Sequence, residues 1–262
     1  MDNVWFNPEG YQRTSKRLQR QCMTTLMSFD AAGGHVLDVG CGTGNALDVL
    51  PQDSIERYLG IDVSPEMVSY ARRKHGAEHI RFEVGDFLAY ALSDSDKFDT
   101  VICAACLHWF IPNEQLVIDK MAHAMRPDAK LFLSCAYHFD FLLGENIAQK
   151  EALDYIRQKY QTIAPAVVFD DFRFDADTVN RRFSDFDLIK VNHIEERVNF
   201  DSFDNFRDWH LGSGSVLYHQ FAPADREQAV QSYYRILYDQ YVKGAHEVSY
   251  ATALMLFQKK VA

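Results

Sequence analysis

HVLDVGCGTGNALDVL, residues 35–50, starts as an apolar run of strand length, passes through glycines at 40, 42 and 44, and ends in a helix-like run. A tight turn leaving a parallel strand needs glycine where φ is positive or where backbone must approach a ligand closely. The dinucleotide fingerprint would place glycines at 40, 42 and 45, but position 45 is Asn45 and the third glycine falls at 44. The phosphate-loop pattern also fails, because no Gly-Lys-Ser/Thr follows. What remains is an acid, Asp38, two residues ahead of a G-x-G-x-G loop, where a pyrophosphate would be repelled.

Outward from this stretch, apolar runs of strand length alternate with helical patterns from about residue 35 to 137. That is the signature of a parallel sheet with helices on both faces. The expected strands are 35–39, 57–62, 79–84, 98–103 and 130–137. Ser64-Pro65-Glu66 reads as an N-cap with proline at the first helical position, starting a helix that carries Met67, Val68 and Ala71. Pro112 and Asn113 precede a second helix that turns Leu116, Met121 and Ala124 to the sheet and stops at Pro127; Arg126-Pro127-Asp128 and Gly33-Gly34 read as turns. Beyond 137 the pattern predicts a helix over 144–162, an acidic Phe-rich connection over 163–183 and a strand over 187–198. A short helix ending at Gly212 or Gly214, a long helix from about 224 to 244 and a last strand over 249–260 complete it. The chain reads as one domain over 1–262: an N-terminal helical segment (1–34), a core (35–137), and cap helices with the sheet edge (138–262).

The formal charge of −10 and pI near 5.4 disfavour a dedicated nucleic-acid binder, whose phosphate contacts need Lys and Arg. No stretch approaches the roughly 20 apolar residues that span a bilayer, and the N-terminus has no secretory pattern, so a cytoplasmic protein without membrane attachment is expected. Cys22, Cys41, Cys103, Cys106 and Cys135 are odd in number and lie mostly in apolar runs, the usage of reduced core thiols. Cys103-Ala-Ala-Cys106 has redox or metal spacing, but no second pair completes a zinc site, and no metal is expected.

Asp38-Val39-Gly40-Cys41-Gly42-Thr43-Gly44 resembles motif I of the class I S-adenosylmethionine (SAM) dependent methyltransferases. The cofactor's methionyl end carries an ammonium, which suits an acid beside the loop. Asp62 closes the second strand and can accept both ribose hydroxyls with its two oxygens. Gly85-Asp86-Phe87 follows the third strand, where the family places an acid for the adenine amino group and an apolar neighbour for the ring. The resemblance implies an α/β fold: a Rossmann-like, seven-stranded, mostly parallel sheet with a small helical cap. It also implies a cofactor site of Asp38, Gly40, Cys41, Gly42, Gly44, Asp62, Val63, Met67, Asp86, Phe87, Cys103 and Ala104, with S-adenosylhomocysteine as product. Taken singly, Asp62 reads equally as a helix N-cap and Asp86 as a turn residue.

Methyl transfer from a sulfonium needs alignment and a desolvated nucleophile, and a general base only for a protonated acceptor; a carboxylate, with pKa near 4, needs none. LQRQCMTTLMSF (18–29), IDVSPEMVSYARRK (61–74), LHWF (107–110) and VSYATALMLFQKK (248–260) are similar to the biotin-pathway malonyl-acyl-carrier-protein O-methyltransferases. The core also resembles the trans-aconitate and juvenile hormone acid methyltransferases, which likewise esterify carboxylates. The resemblance turns Leu107, His108 and Trp109 toward the acceptor: His108 as hydrogen-bond donor or base and Trp109 as a pocket wall, unless both pack beneath the cap. Tyr11, Gln19 and His138 are further candidates because their segments border the family's site. Residues 138–195 match none of these families and are where a cap would select substrate.

Arg13, Lys16, Arg17 and Arg20 fall at i, i+3, i+4 and i+7, one helical face; residues 1–20 sum to +2 and the remainder to −12. The stripe reads either as a docking face for an acidic acyl carrier protein or as a solvated helix face. C- or N-methylation of another small molecule, a SAM-binding protein without catalysis, and an NAD oxidoreductase are the alternative functions. His75, His79, His193, His210, His219 and His246 show no metalloprotease-like pairing and read as surface or core residues.

Overall fold

The computed structural model describes residues 16–93, 96–135, 143–164, 174–212, 216–243 and 247–261. Strand β1 (Gly34–Val39) lies between β2 (Ile55–Asp62) and β4 (Phe98–Ala104), with β3 (Ile80–Val84) outside β2 and β5 (Met125–Cys135) outside β4. These pairings are all parallel. The edge strands β6 (Phe186–Asn199) and β7 (Glu247–Lys259) are antiparallel, giving a seven-stranded sheet ordered β3-β2-β1-β4-β5-β7-β6.

Alternation along buried strands sends apolar side chains to both faces, and helices cover each. On one face Leu37 and Val39 pack with Val117, Ile118 and Met121 of helix α3 (Glu114–Ala124). On the other, Val36 and Tyr58 pack with Cys22, Met23 and Leu26 of α1 (Lys16–Met27) and with Val68 and Ala71 of α2 (Pro65–Lys74). The start of α2 forms as the sequence predicts: Ser64 Oγ accepts from Met67 N at 3.2 Å, Pro65 takes the first turn, and Arg72, Arg73 and Lys74 occupy the last.

Four expectations are corrected. The run after the glycine loop makes one 3-10 turn, Asn45–Asp48, before Pro51. Helix α3 ends at Ala124, and Pro127 lies within β5, whose pairing with β4 jumps from Met125 to Lys130. The irregular register tolerates a residue without an N–H, and Asp128 sits there at φ 62. Leu116 is 57% exposed, and Val117 and Ile118 face the sheet in its place. The acidic connection contains a helix, α5 (Ala176–Arg182), capped by Asp175 through Thr178 N at 2.7 Å.

The cap is built on a ribbon. Asn199 pairs with Glu247 in β6–β7, whereas the end of β5, Cys135, pairs with Ala253. Six residues of β7 therefore run on past β5, roughly 20 Å at a strand's rise per residue, on the carboxyl side of the parallel strands. Helices α4 (Leu143–Lys159), α6 (Phe203–Gly212) and α7 (Arg226–Leu237) join residues of this ribbon in a separate core of Ile156, Phe200, Phe206, Tyr233, Tyr234 and Val248.

Candidate active site

From β1 the chain crosses first to β2 and later to β4 on the opposite side, and ligands of open α/β sheets bind where the strand order so reverses, at the carboxyl ends. The glycine loop sits there, with φ of 69°, 51° and 77° at Gly40, Gly42 and Gly44. A Cβ on Gly40 would fall 2.0 Å from Cys106 Sγ, and one on Gly44 would fall 2.8 Å from the His75 ring. A Cβ on Gly42 would meet nothing within 4 Å. The outer glycines are required by packing beneath the loop, while the middle one faces open space.

Two acids flank the loop, Asp38 in β1 just before it and Asp62 on the amide of Gly42. Asp38 is 3% exposed, and Tyr58 Oη donates to its Oδ2 at 2.5 Å. Burial pushes its carboxyl up to about 7 against the hydrogen bond from Tyr58, with the Asp62 charge adding to the rise. Asp62 Oδ2 accepts from Gly42 N and Oδ1 from Ser64 N, both at 2.9 Å. Burial raises its pKa as well, opposed by those two amides. Among the described residues neither acid pairs with a lysine or arginine. A carboxylate has about four acceptor sites, so each Asp62 oxygen keeps one after binding its amide. Glycine-lined space at a buried acid and a half-buried one, without a protein cation, fits a cationic, hydroxyl-bearing ligand and repels a phosphate. On that donor set the residues fit SAM.

The other expected residues line the same strand ends. Val63 is 38% exposed, and Met67 is buried in the first turn of α2. Asp86 is exposed; its Oδ1 accepts from Leu88 N at 3.0 Å, and its carbonyl accepts from Ala89 N and Tyr90 N. Phe87 belongs to the core, 2% exposed and edge-on to Phe110 with ring centroids 6.5 Å apart. Its ring packs in the core, with Lys120 Nζ over it, and presents no open face. Cys103 is fully buried and Ala104 half-buried at the end of β4. All five cysteines are free and buried. The Cys41 thiol is pushed up by burial, and the Cys106 thiol by its hydrogen bond with Cys103 and by burial, so both stay protonated and pack the loop.

His108 and Trp109 occupy a 3-10 turn, Leu107–Phe110, directly after β4, with ring centroids 5.5 Å apart. Both are half-buried, and burial lowers His108 to about 4, leaving a neutral imidazole at physiological pH. Gln19 is half-buried in α1. Tyr11, His138 and Arg13 lie outside the described residues, as do the side chains of Lys16 and Arg17; Arg20 is exposed on α1. His75 packs beneath Gly44. Among the described residues no group of three or more His, Cys, Asp or Glu is placed to hold a metal ion, and no helix is long and apolar enough to cross a membrane.

The sequence reading missed Tyr58 and the role of Cys106 beneath Gly40. A tyrosine inside an apolar strand is a signal, because a buried hydroxyl needs a partner; a thiol filling the space left by a glycine has no local signature.

Residues 36–128 match the family model described as a methyltransferase domain. Over 140 residues the chain is 32% identical to the ubiquinone biosynthesis O-methyltransferase of Xanthomonas oryzae pv. oryzae (strain PXO99A), covering 50% of this chain and 56% of that one. The protein of the same name from Xylella fastidiosa (strain 9a5c) is 27% identical over 134 residues, covering 50% and 53%. The chain thus spans about half the length of the curated relatives it matches. Among solved structures, a protein of Bacillus halodurans C-125 aligns with TM-score 0.60 at 17% identity, covering 91% of this chain and 99% of that one. The N-methyltransferase NodS from Bradyrhizobium japonicum WM9, in complex with S-adenosyl-L-homocysteine, aligns with TM-score 0.51 at 14% identity, covering 98% and 99%. The architecture is that of the α/β methyltransferase fold, and the matched segment carries the glycine loop and all three strand-end acids.

Proposed function

We propose that the chain is a SAM-dependent O-methyltransferase that esterifies a carboxylate on a small or carrier-linked acceptor. The observation that carries the SAM reading is the pair of acids at the glycine loop, Asp38 buried at the end of β1 and Asp62 half-buried on Gly42 N, with no lysine or arginine pairing either acid among the described residues.

When bound, SAM supplies a methyl group already activated by its sulfonium. Gly40, Cys41, Gly42 and Gly44 shape the cradle for the methionyl tail, and Asp38 offers negative charge to its ammonium. Asp62 accepts from the ribose hydroxyls, Val63 and Met67 pack beside the sugar, and Asp86 accepts from the adenine amino group beside Phe87. Cys103 and Ala104 floor the path from cofactor to acceptor. His108 donates a hydrogen bond to the acceptor carboxylate, Trp109 walls it, and the cap excludes water. Alignment and desolvation are then the protein's contribution, with no proton to remove. An acyl carrier protein docked on the face of Arg13, Lys16, Arg17 and Arg20 is the partner of this reading, and the cytoplasm its compartment.

The name of the curated relatives, ubiquinone biosynthesis O-methyltransferase, favours a second reading in which the acceptor is a ring hydroxyl. There the neutral imidazole of His108 takes the hydroxyl proton.

Calorimetry with SAM and S-adenosylhomocysteine, followed by a labelled-methyl assay across carboxylic acids, acyl-carrier thioesters, phenols and amines, tests both. Binding with label in a base-labile ester supports the carboxylate reading; label on a phenol supports the second. Failure to bind either nucleoside overturns the cofactor assignment, and binding without labelled product on any acceptor leaves a SAM-binding protein without catalysis.

A further inference from the structure

Asp86 and Phe87 sit at the head of a five-residue turn on the loop after β3. The turn is closed from inside, since the Asp86 carbonyl accepts from Ala89 N at 3.0 Å and from Tyr90 N at 2.8 Å. Asp86 Oδ1 accepts from Leu88 N at 3.0 Å, and Oδ2 takes no hydrogen bond among the described residues. Such a turn exposes carbonyls at its far end, and Lys120, one turn before the end of α3, meets two of them. Its Nζ donates to Leu88 O at 3.0 Å and to Tyr90 O at 2.6 Å, and stands 5.1 Å from the centre of the Phe87 ring. No carboxylate forms an ion pair with Lys120 among the described residues. Its hydrogen bonds go to backbone and its charge faces the ring, with the Asp86 charge near enough to oppose the lowering of its pKa by burial, so the ammonium behaves as a clamp between α3 and the loop.

We propose that Lys120 is a positioning residue for base recognition: through the carbonyls of Leu88 and Tyr90 it fixes the direction in which Asp86 is offered to the cofactor's adenine. The inference rests on the SAM reading above. Lys120 approaches the turn from α3, whereas Asp86 and Ala89 are the turn's exposed members, so Lys120 acts on the turn and Asp86 is the side chain offered outward. A cavity of about 160 Å³ lined by Tyr90, Lys97, Lys120 and His123 adjoins the ammonium. It gives the longer guanidinium of Lys120→Arg room to reach the same carbonyls.

The test separates positioning from mere support by asking which base is preferred. Wild type, Lys120→Met and Lys120→Arg are titrated calorimetrically with S-adenosylhomocysteine and with S-inosylhomocysteine, which replaces the exocyclic amino group by an oxygen. Wild type should prefer the adenosyl compound by roughly tenfold or more, the range of one charged hydrogen bond. Lys120→Met should bring that ratio to within about threefold while both compounds still bind, and Lys120→Arg should restore it. Should the methionine variant not fold, Lys120→Gln, which keeps an uncharged NH2 donor group on a shorter side chain, is expected to give an intermediate ratio. Unchanged preference in the folded variant, or affinity lowered equally for both compounds, would overturn the proposal. So would a wild type that binds both equally. Absence of any binding by wild type removes instead the cofactor reading on which the proposal stands.

Discussion

Tyr58 Oη reaches diagonally across the β1–β2 pairing to Asp38 Oδ2, 2.5 Å away, and supplies the hydroxyl donor to a carboxylate that is almost wholly out of water. Because the Asp38 carboxyl is raised to about 7 in the folded protein, ionising it opposes folding. An acid raised above its unfolded value stabilises the fold fully below about pH 4 and loses that contribution as pH rises through about 7. Stability should therefore fall between these limits, by at most about 1.4 kcal/mol per pH unit for this one proton. Asp62, also raised by burial, acts in the same direction. Asp38→Asn should reduce the slope of urea midpoint against pH between 5 and 8. Tyr58→Phe, which removes the bond holding the pKa down, should extend the fall to higher pH. Identical pH profiles for wild type and Asp38→Asn would show that Asp38 does not titrate there.

The two glycines nearest the acids should fail differently. Gly40→Ala places a methyl against Cys106 Sγ at φ 69°, combining left-handed backbone strain of about 1–2 kcal/mol with overpacking of about 1–3 kcal/mol. Gly42→Ala carries the backbone strain alone, at φ 51° in open space. Thermal melting should show Gly40→Ala the less stable, with partial recovery in the Gly40→Ala/Cys106→Gly double variant. S-adenosylhomocysteine titration should show Gly42→Ala folded but weak in binding, since its methyl occupies the ligand's space.

The sheet was legible because buried parallel strands and their caps declare themselves locally: β1 through β4, the Ser64 cap and the offset third glycine all lie where the pattern puts them. The strand-end acids were legible for the same reason, since Asp38 and Asp62 belong to strands read from apolar runs. Misreadings arose where tertiary register overrode local chemistry. Pro127 and Asp128 carry turn signals, yet an irregular stretch of β5 absorbs both. A helix as short as α5, inside an acidic run, has too few turns for periodicity to stand out, although its Asp175 cap was present. Tyr58, Cys106 and Lys120 acquire their roles from partners 20, 66 and 30 to 33 positions away, which no local pattern encodes.

Removing the Asp62 carboxylate should affect both fold and ligand. Asp62→Ala leaves the amides of Gly42 and Ser64 without their acceptor, so the loop and the start of α2 loosen together. Loss of a charged hydrogen-bond partner costs roughly 1.5–3 kcal/mol, a tenfold or greater rise in the Kd for S-adenosylhomocysteine. Asp62→Asn can keep one amide contact through its carbonyl oxygen and should melt closer to wild type while still binding weakly. Wild-type affinity in Asp62→Ala would remove this residue from the site.

His108 decides between the two acceptors. Burial holds its pKa down to about 4, so the imidazole is neutral, and able to act either as donor or as base, across pH 5–9. With a carboxylate acceptor no proton is abstracted, and His108→Gln, which retains a donor, should lower kcat by no more than about tenfold. With a hydroxyl acceptor the same change removes the general base, and the loss should be about 10²–10⁴-fold. In the variant the rate should then climb with pH as hydroxide or the ionised phenol takes over. Single-turnover rates of wild type and His108→Gln on a carboxylic acid and a phenol, measured from pH 6 to 9, separate the cases. The carboxylate reading expects a small, pH-independent loss on the acid substrate, and a loss above a hundredfold there would defeat it.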